Sequence, residues 1–339
     1  MLPVSFDAER YLRIQSGAVD LADELHRAVS ECLAAGATNL FFVGSGGAGI
    51  LMLPAAELLQ TRSTFPVQVV NPAELVETGN VNLGPGSIVV IPSLSGTTAE
   101  SVAALEFCKD RGATVIALTG HAETPLADGA AYGLVNFAED DTSCESFYLQ
   151  SLLIALAVMD VRQELSNHPG LVGQLRSLPE ALLQVKAQAE KRADQLAAHL
   201  HGSDYHIITG AGSTWAEAFY YGMCILEEMQ WIRTRPVHAS DFFHGTLELV
   251  EAGVSVVLLK GEDSGRPLVE RVEKFAGALT DRTLVLDAAE FDLPGIDLEV
   301  RSLISPVVLA AALERISAHL EVQTGHPLTT RRYYKRMAY

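Results

Sequence analysis

The chain has 339 residues, 48% hydrophobic and 19% charged, which is enough apolar material for two cores. Its 42 acidic residues outnumber 24 basic ones, giving a net charge of −18. Such a surface repels nucleic acid and anionic membranes, and an anionic substrate would need local help from backbone donors.

In chain order, the N-terminal stretch MLPVSFDAERYLRIQSG lacks the apolar core of a signal peptide. Apolar positions recur at helical spacing from Asp20 to Ala35, and Gly36 stops that helix. Asn39–Val43 predicts a strand, followed by a helix through Leu59. Further strands are predicted at Val67–Val70, Ser87–Ile91, Thr114–Leu118 and Gly133–Asn136, with a helix from Thr98 to Lys109. This alternation argues for a parallel sheet with right-handed crossovers. Cys144–Glu164 reads as a long helix. Its apolar stretch near Leu152–Met159 falls far short of the ~20 residues of a membrane span. Pro179–Leu200 reads as a second connecting helix, with its proline in the first turn.

The pattern then restarts. His206–Thr209, Ser255–Leu259 and Thr283–Leu286 predict strands, and helices are expected up to Trp231, over Val269–Ala278 and over Ser305–Gln323. Both halves open with a strand and a glycine turn, VGSGGAG at 43–49 and TGAGS at 209–213, which suggests a duplicated architecture. The four cysteines, Cys32, Cys108, Cys144 and Cys224, form no CxxC pair. They read as reduced thiols rather than a disulfide or zinc framework, and with the absence of a leader or span they point to the cytoplasm.

Four segments could carry chemistry. In VGSGGAG, Ser45, Gly46 and Gly47 bring backbone N–H groups to a strand–helix turn, where an anion can sit. Gly44, Gly46 and Gly49 have dinucleotide-fingerprint spacing, but no acidic residue ends the second strand. A plain tight turn stays open as the alternative. In SLSGTTAES, Ser93, Ser95, Thr97 and Thr98 place four hydroxyls on a turn that opens a helix, a phosphate cradle needing no lysine. The bland alternative is an N-cap completed by Glu100.

The third segment, CILEEMQWIRTRPVHASDFFHGTLELVE, reads as a helix with Ile225, Met229 and Ile232 on one apolar stripe and Glu228 near its end. After an Arg233–Pro236 turn come His238, Asp241 and His244. Glu228 and His244 can serve as an acid/base pair across one pocket, or be a surface charge and a loop histidine; His238 is expected to be structural. The basic tail HPLTTRRYYKRMAY offers Arg331, Arg332, Tyr334, Lys335 and Arg336 to an anionic substrate or a neighbouring subunit, unless it is simply a docked terminus.

Together these segments resemble the SIS (sugar isomerase) family, most of all its fructosamine 6-phosphate deglycases, over residues 30–339. SLSGTT looks like the family's phosphate loop, EEMQW…DFFHG like its glutamate and histidine segments, and HPLTTRRYY like the deglycase ending. The resemblance implies an α/β fold of two SIS domains, each a mainly parallel sheet between helix layers. The expected layout is a helical segment 1–30, domains 31–165 and 201–325, connector helices 166–200 and a tail 326–339. It implies Ser93, Ser95 and Thr98 as the phosphate loop, Glu228 as general acid/base, and His244 at ring opening or on the substrate, with the histidine drawn from the partner chain in some assemblies. Lys335, Arg332 and Tyr334 are candidate substrate contacts.

No cofactor or metal is implied, and the partners are a sugar phosphate and a second copy in a homodimer or larger assembly. Two departures stand out. Ala48 lies where the family usually has a hydroxyl, shifting that contact to Ser45, and Thr246 replaces the proline of HGP. The activity implied is cleavage of a 6-phosphofructosyl amino acid to hexose 6-phosphate and amino acid. An aldose–ketose or amino-sugar phosphate isomerase/deaminase is the second reading. A non-catalytic sugar-phosphate sensor is the third, disfavoured because only the segment before Asn39 precedes the first strand and leaves no room for a DNA-binding domain.

Overall fold

A computed structural model describes residues 4–140, 145–334, 336 and 337. Cys144 and Lys335 lie outside the described residues. The chain forms two compact units, one from Ala8 to Glu180 and one from the described residues up to Asp7 together with those from Ala181 onward.

The first unit begins with α1 (Ala8–Asp20) and α2 (Ala22–Ala34). β1 (Asn39–Val43), α3 (Gly46–Ile50), α4 (Leu53–Arg62), β2 (Val67–Val70) and α5 (Pro72–Thr78) follow. Then come β3 (Ser87–Ser93), α6 (Ala99–Asp110), β4 (Thr114–Thr119), α7 (Pro125–Gly129), β5 (Tyr132–Val135), α8 (Glu145–Val161) and α9 (His168–Arg176). The five strands are parallel in the order β2-β1-β3-β4-β5. β3, SIVVIPS, is buried at every position, the near-continuous apolar run that a strand covered on both faces requires. On one face Phe41, Val89, Ile91 and Val115 pack with Leu75, Ala104 and Leu105 from α5 and α6. The single helix expected after β1 is two, because Leu51 and Met52 turn the chain between α3 and α4. Strand order reverses between β1 and β3, so their carboxyl ends flank a crevice where α/β sheets bind ligands.

The second unit contains α10 (Leu178–His201, mostly in this unit), β6 (Tyr205–Gly210), α11 (Thr214–Tyr220), a π-helical stretch Tyr221–Glu227 and α12 (Glu228–Gln230). β7 (Arg233–His238), two 3₁₀ turns at Phe242–His244 and Thr246–Leu249, β8 (Ser255–Lys260), α13 (Arg266–Ala276), β9 (Thr283–Asp287) and α14 (Leu298–Thr324) complete it. The sheet is parallel in the order β7-β6-β8-β9, so its strand order also reverses beside its first strand, between β6 and β8.

The expected turn at Arg233–Pro236 is instead the edge strand β7, with Pro236 opposite Ile208. An edge strand has one side free of ladder bonds, which is where a proline is tolerated. The expected 225/229/232 stripe also fails. The π stretch adds a residue per turn, Trp231 adopts φ +57° and ends the helix, and Ile232 lies beyond it. Gly222 permits the close packing of this stretch, since a Cβ there would meet Pro236 Cγ at 2.7 Å.

α14 is the one helix of the described residues long and apolar enough to cross a membrane by length and composition, but 83% of that window is buried inside the protein. It carries Arg315, fully buried, whose Nε reaches Glu190 Oε2 at 2.8 Å. Cys32, Cys108 and Cys224 are buried and form no disulfide among the described residues, and burial pushes the Cys32 and Cys108 thiols up to about 11, leaving them unreactive.

His206 is fully buried within β6. Its Nε2 donates to the Leu200 carbonyl at 3.0 Å and Nδ1 sits 2.7 Å from Ser255 Oγ, so the neutral ring is satisfied. Burial drives its pKa from 6.5 down to about 4. Above the upper value the ring is neutral folded or unfolded. Between the two values the unfolded chain takes up a proton that the folded chain refuses, so stability falls as pH drops. The loss reaches about 3 kcal/mol at the lower end. Thermal melts between about pH 7 and pH 4 should therefore show the wild type losing more stability than His206→Gln.

Candidate active site

In the first unit, the hydroxyl turn follows β3 and the glycine turn follows β1, so both flank the switch point. Gly44 and Gly49 lie against each other: a Cβ on Gly44 would meet Gly49 Cα at 2.6 Å and Pro92 Cγ at 3.1 Å. This contact explains two of the glycines by packing alone. Gly46 is exposed while Ser45 and Gly47 are half-buried, and the Ser45 side chain makes no cap hydrogen bond.

In the second turn, Ser93 Oγ and Thr98 Oγ1 are 3.1 Å apart, and Ser95 Oγ accepts from Thr97 N at 3.3 Å and Thr97 Oγ1 at 3.1 Å. Thr98 stands at the N-cap of the twelve-residue α6 without capping it. Among the described residues these four hydroxyls bond only to one another and to their own backbone. The simple capping alternative therefore fails. The turn brings four hydroxyls to the N-terminal end of α6, whose first turn also carries Glu100.

In the second unit turns likewise follow β6 and β8, and an acidic side chain bridges them. Asp263, just after β8, accepts from Ser213 N at 3.0 Å, from Ser213 Oγ and from Gly265 N at 2.8 Å. Its carboxylate thereby engages a backbone N–H of the glycine turn after β6 and one of its own turn, beside the β6–β8 switch point. No pattern in the sequence marked Asp263 for this role.

Glu228 sits one residue past the π stretch, its side chain 37% exposed. Its Oε1 accepts from Arg331 Nε at 2.7 Å, while the adjacent Glu227 is engaged by Thr234 Oγ1 at 2.6 Å. The tail folds back onto this helix end. Gln230 Nε2 donates to the His326 carbonyl at 2.7 Å, the Trp231 and His326 rings are 4.2 Å apart, and Arg332 lies 3.9 Å over Trp231. Arg332 thus helps dock the tail, and Tyr334 is exposed. The sequence offered Arg331 to a substrate or a neighbouring subunit and not to Glu228.

His244 is exposed in its 3₁₀ turn, next to Gly245 at φ +148°, and forms no hydrogen bond or ion pair with Glu228. His238 accepts from Ser240 N at 3.2 Å and packs edge-on against Trp215. Asp241 is exposed.

A model of the SIS domain matches residues 35–160. A fructosamine deglycase of Bacillus subtilis is 31% identical over 304 residues, covering 89% of this chain and 92% of its own. The chain belongs to the SIS-domain family. Among its relatives, an Escherichia coli fructoselysine 6-phosphate deglycase is 25% identical over 91% of this chain and 89% of its own. A solved Bacillus subtilis structure described as a phosphosugar isomerase superposes with a TM-score of 0.86 at 29% identity, over 94% of this chain and 99% of that one. The chain is accordingly an SIS-type enzyme of the phosphosugar deglycase and isomerase group.

Within this SIS chain, the threonine in place of the HGP proline has a partner of its own. Thr246 is buried and its Oγ1 accepts from Arg235 Nε at 3.0 Å, tying the His244 turn to β7 through a hydroxyl that proline lacks. Ala48 brings no hydroxyl to the first glycine turn, which leaves Ser45 as that turn's side-chain donor.

Proposed function

We propose that the enzyme cleaves a 6-phosphofructosyl amino acid, an Amadori product, to a hexose 6-phosphate and a free amino acid. The observation that carries this reading is the open hydroxyl turn at 93–98, set against the second-unit turns that Asp263 bridges. The 6-phosphate is assigned to Ser93, Ser95, Thr97 and Thr98, with Ser45, Gly46 and Gly47 beside them.

Once the ring is open, Glu228 takes the proton from C1 and the C2 carbonyl becomes the hydroxyl of a 1,2-enaminol. Returning the proton to C2 gives the C1 imine. Water adds at C1, the C1–N bond breaks, and the amine leaves with a proton. Each positioned acid or base typically contributes about 10²–10⁴-fold. His244 is assigned to ring opening. Its exposure, and the lack of any bond to Glu228 in its own chain, support its supply from a partner copy in a homodimer. Lys335, Arg332 and Tyr334 are secondary candidates, Arg332 the weakest because Trp231 already holds it. The relatives are metabolic enzymes, and we place this one in the cytoplasm.

Incubation with fructosamine 6-phosphates of several amino acids, glucosamine 6-phosphate and fructose 6-phosphate, with product analysis, tests the reading. Release of hexose 6-phosphate and amino acid from the first class alone is the expected result. Turnover of only the other two would make the chain an isomerase or deaminase, and turnover of none would make it a sensor.

A further inference from the structure

Three ligand-type side chains, none of them used by the phosphosugar chemistry, converge in the helical layer of the first unit. His26 lies on α2, Asp160 at the end of α8, and His168 opens α9. Asp160 Oδ2 stands 2.7 Å from His26 Nε2 and 3.8 Å from His168 Nδ1. The two rings are 4.9 Å apart and inclined at 46°. One ligand atom from each residue lies within 4.8 Å of the other two.

A hydrogen-bonded His–Asp pair accounts for His26 and Asp160. It does not account for His168, whose nitrogen faces the same carboxylate oxygen from beyond hydrogen-bond range. A tetrahedral ion with bonds of about 2.0–2.1 Å holds its ligand atoms about 3.4 Å apart. The 3.8 Å pair is close to that spacing, and the 2.7 Å pair needs to open by less than about 1 Å.

We propose that His26, Asp160 and His168 bind one first-row divalent transition-metal ion, zinc by preference, which clamps α2, α8 and α9 together. Two imidazoles and one carboxylate suit zinc, cobalt or nickel and not magnesium or calcium, whose sites are all oxygen. The side chains are 33%, 33% and 15% exposed, so water reaches the remaining position. Asp23 on α2 acts on His168 and is itself paired with Arg176 on α9 at 3.0 Å, so Asp160 is the carboxylate left for an ion at the cluster.

The full-length protein is stripped with a chelator and titrated with zinc against a chromophoric competitor, then with cobalt while the visible d–d bands are recorded. One ion per chain, bound below about 10 μM, is expected, with cobalt bands of a four- or five-coordinate site. Zinc should raise the melting temperature of the wild type. His26→Ala/His168→Ala should lose the stoichiometric ion, the bands and the thermal shift, yet keep its far-ultraviolet dichroism. If that variant does not fold, His168→Gln, which keeps the volume but removes the facing nitrogen, is read in its place. Zinc binding that survives the folded variant unchanged, or no binding tighter than about 100 μM in the wild type, overturns the proposal and leaves a hydrogen-bonded pair beside a third side chain.

Discussion

Glu228→Gln leaves substrate binding largely intact and lowers turnover by about two to four orders of magnitude. The substitution is nearly isosteric, and the glutamine oxygen can still accept from Arg331 Nε, which the carboxylate meets at 2.7 Å. The tail docks through Gln230, Trp231 and Arg332, none of which changes, so the helix end keeps its shape. What is lost is the ability to take and return a proton. The expected signature is therefore a fall in kcat with KM within a few-fold of the wild type, together with loss of solvent deuterium from C2 of the product. A kcat within about threefold of the wild type removes Glu228 from the mechanism.

Ser95→Asp raises KM for any phosphosugar by about a hundredfold or more while leaving the fold in place, since placing like charge against a bound phosphate costs several kcal/mol. The protein itself supplies the precedent. In the second unit the Asp263 carboxylate bridges the turns beside the switch point, held by Ser213 and Gly265, and that unit folds around it. A carboxylate at position 95 reaches Thr97 N and Thr97 Oγ1, the two donors that Ser95 Oγ now engages. It would engage the first turn as Asp263 engages those of the second unit. Ser95→Ala should cost far less, because one hydroxyl of four is removed and no charge enters. Measured KM values for the three proteins, with melting temperatures to confirm folding, decide the matter. An unchanged KM in Ser95→Asp would move the phosphate away from the 93–98 turn.

The contrast between the two turns could not be read from the chain. SLSGTT at the end of β3 and GEDSG after β8 each leave a strand, and neither string names the groups its side chains will meet. Asp263 reaches Ser213 across a sequence separation of 50 residues, and only the parallel pairing of β6 with β8 brings them together. The same holds for His26 and Asp160, 134 residues apart, which meet because α2 packs on α8.

Among the elements, β1 and β2 match their sequence-read bounds because β-branched and aromatic runs are strong local signals, in the buried NLFFV of β1 and in the partly exposed VQVV of β2 alike. β7 was misread because RTRPVH is an edge strand, with one neighbour to pack against and a proline in it. The π stretch before Glu228 was invisible because an inserted residue per turn leaves composition unchanged and alters only register.

Local patterns that each carry their own physics were thus fixed by the amino-acid order: the repeated strand–glycine-turn–helix unit, the four hydroxyls at 93–98, and the glutamate and tail segments that resemble those of the deglycases. Contacts between distant segments were decided only by tertiary structure. These include which turns a carboxylate bridges, that Arg331 is the partner of Glu228, and that two histidines share one aspartate. Propensity acts over a few residues, whereas electrostatic and hydrogen-bond partners are chosen by whichever side chains the sheet order and helix packing bring within about 3 Å.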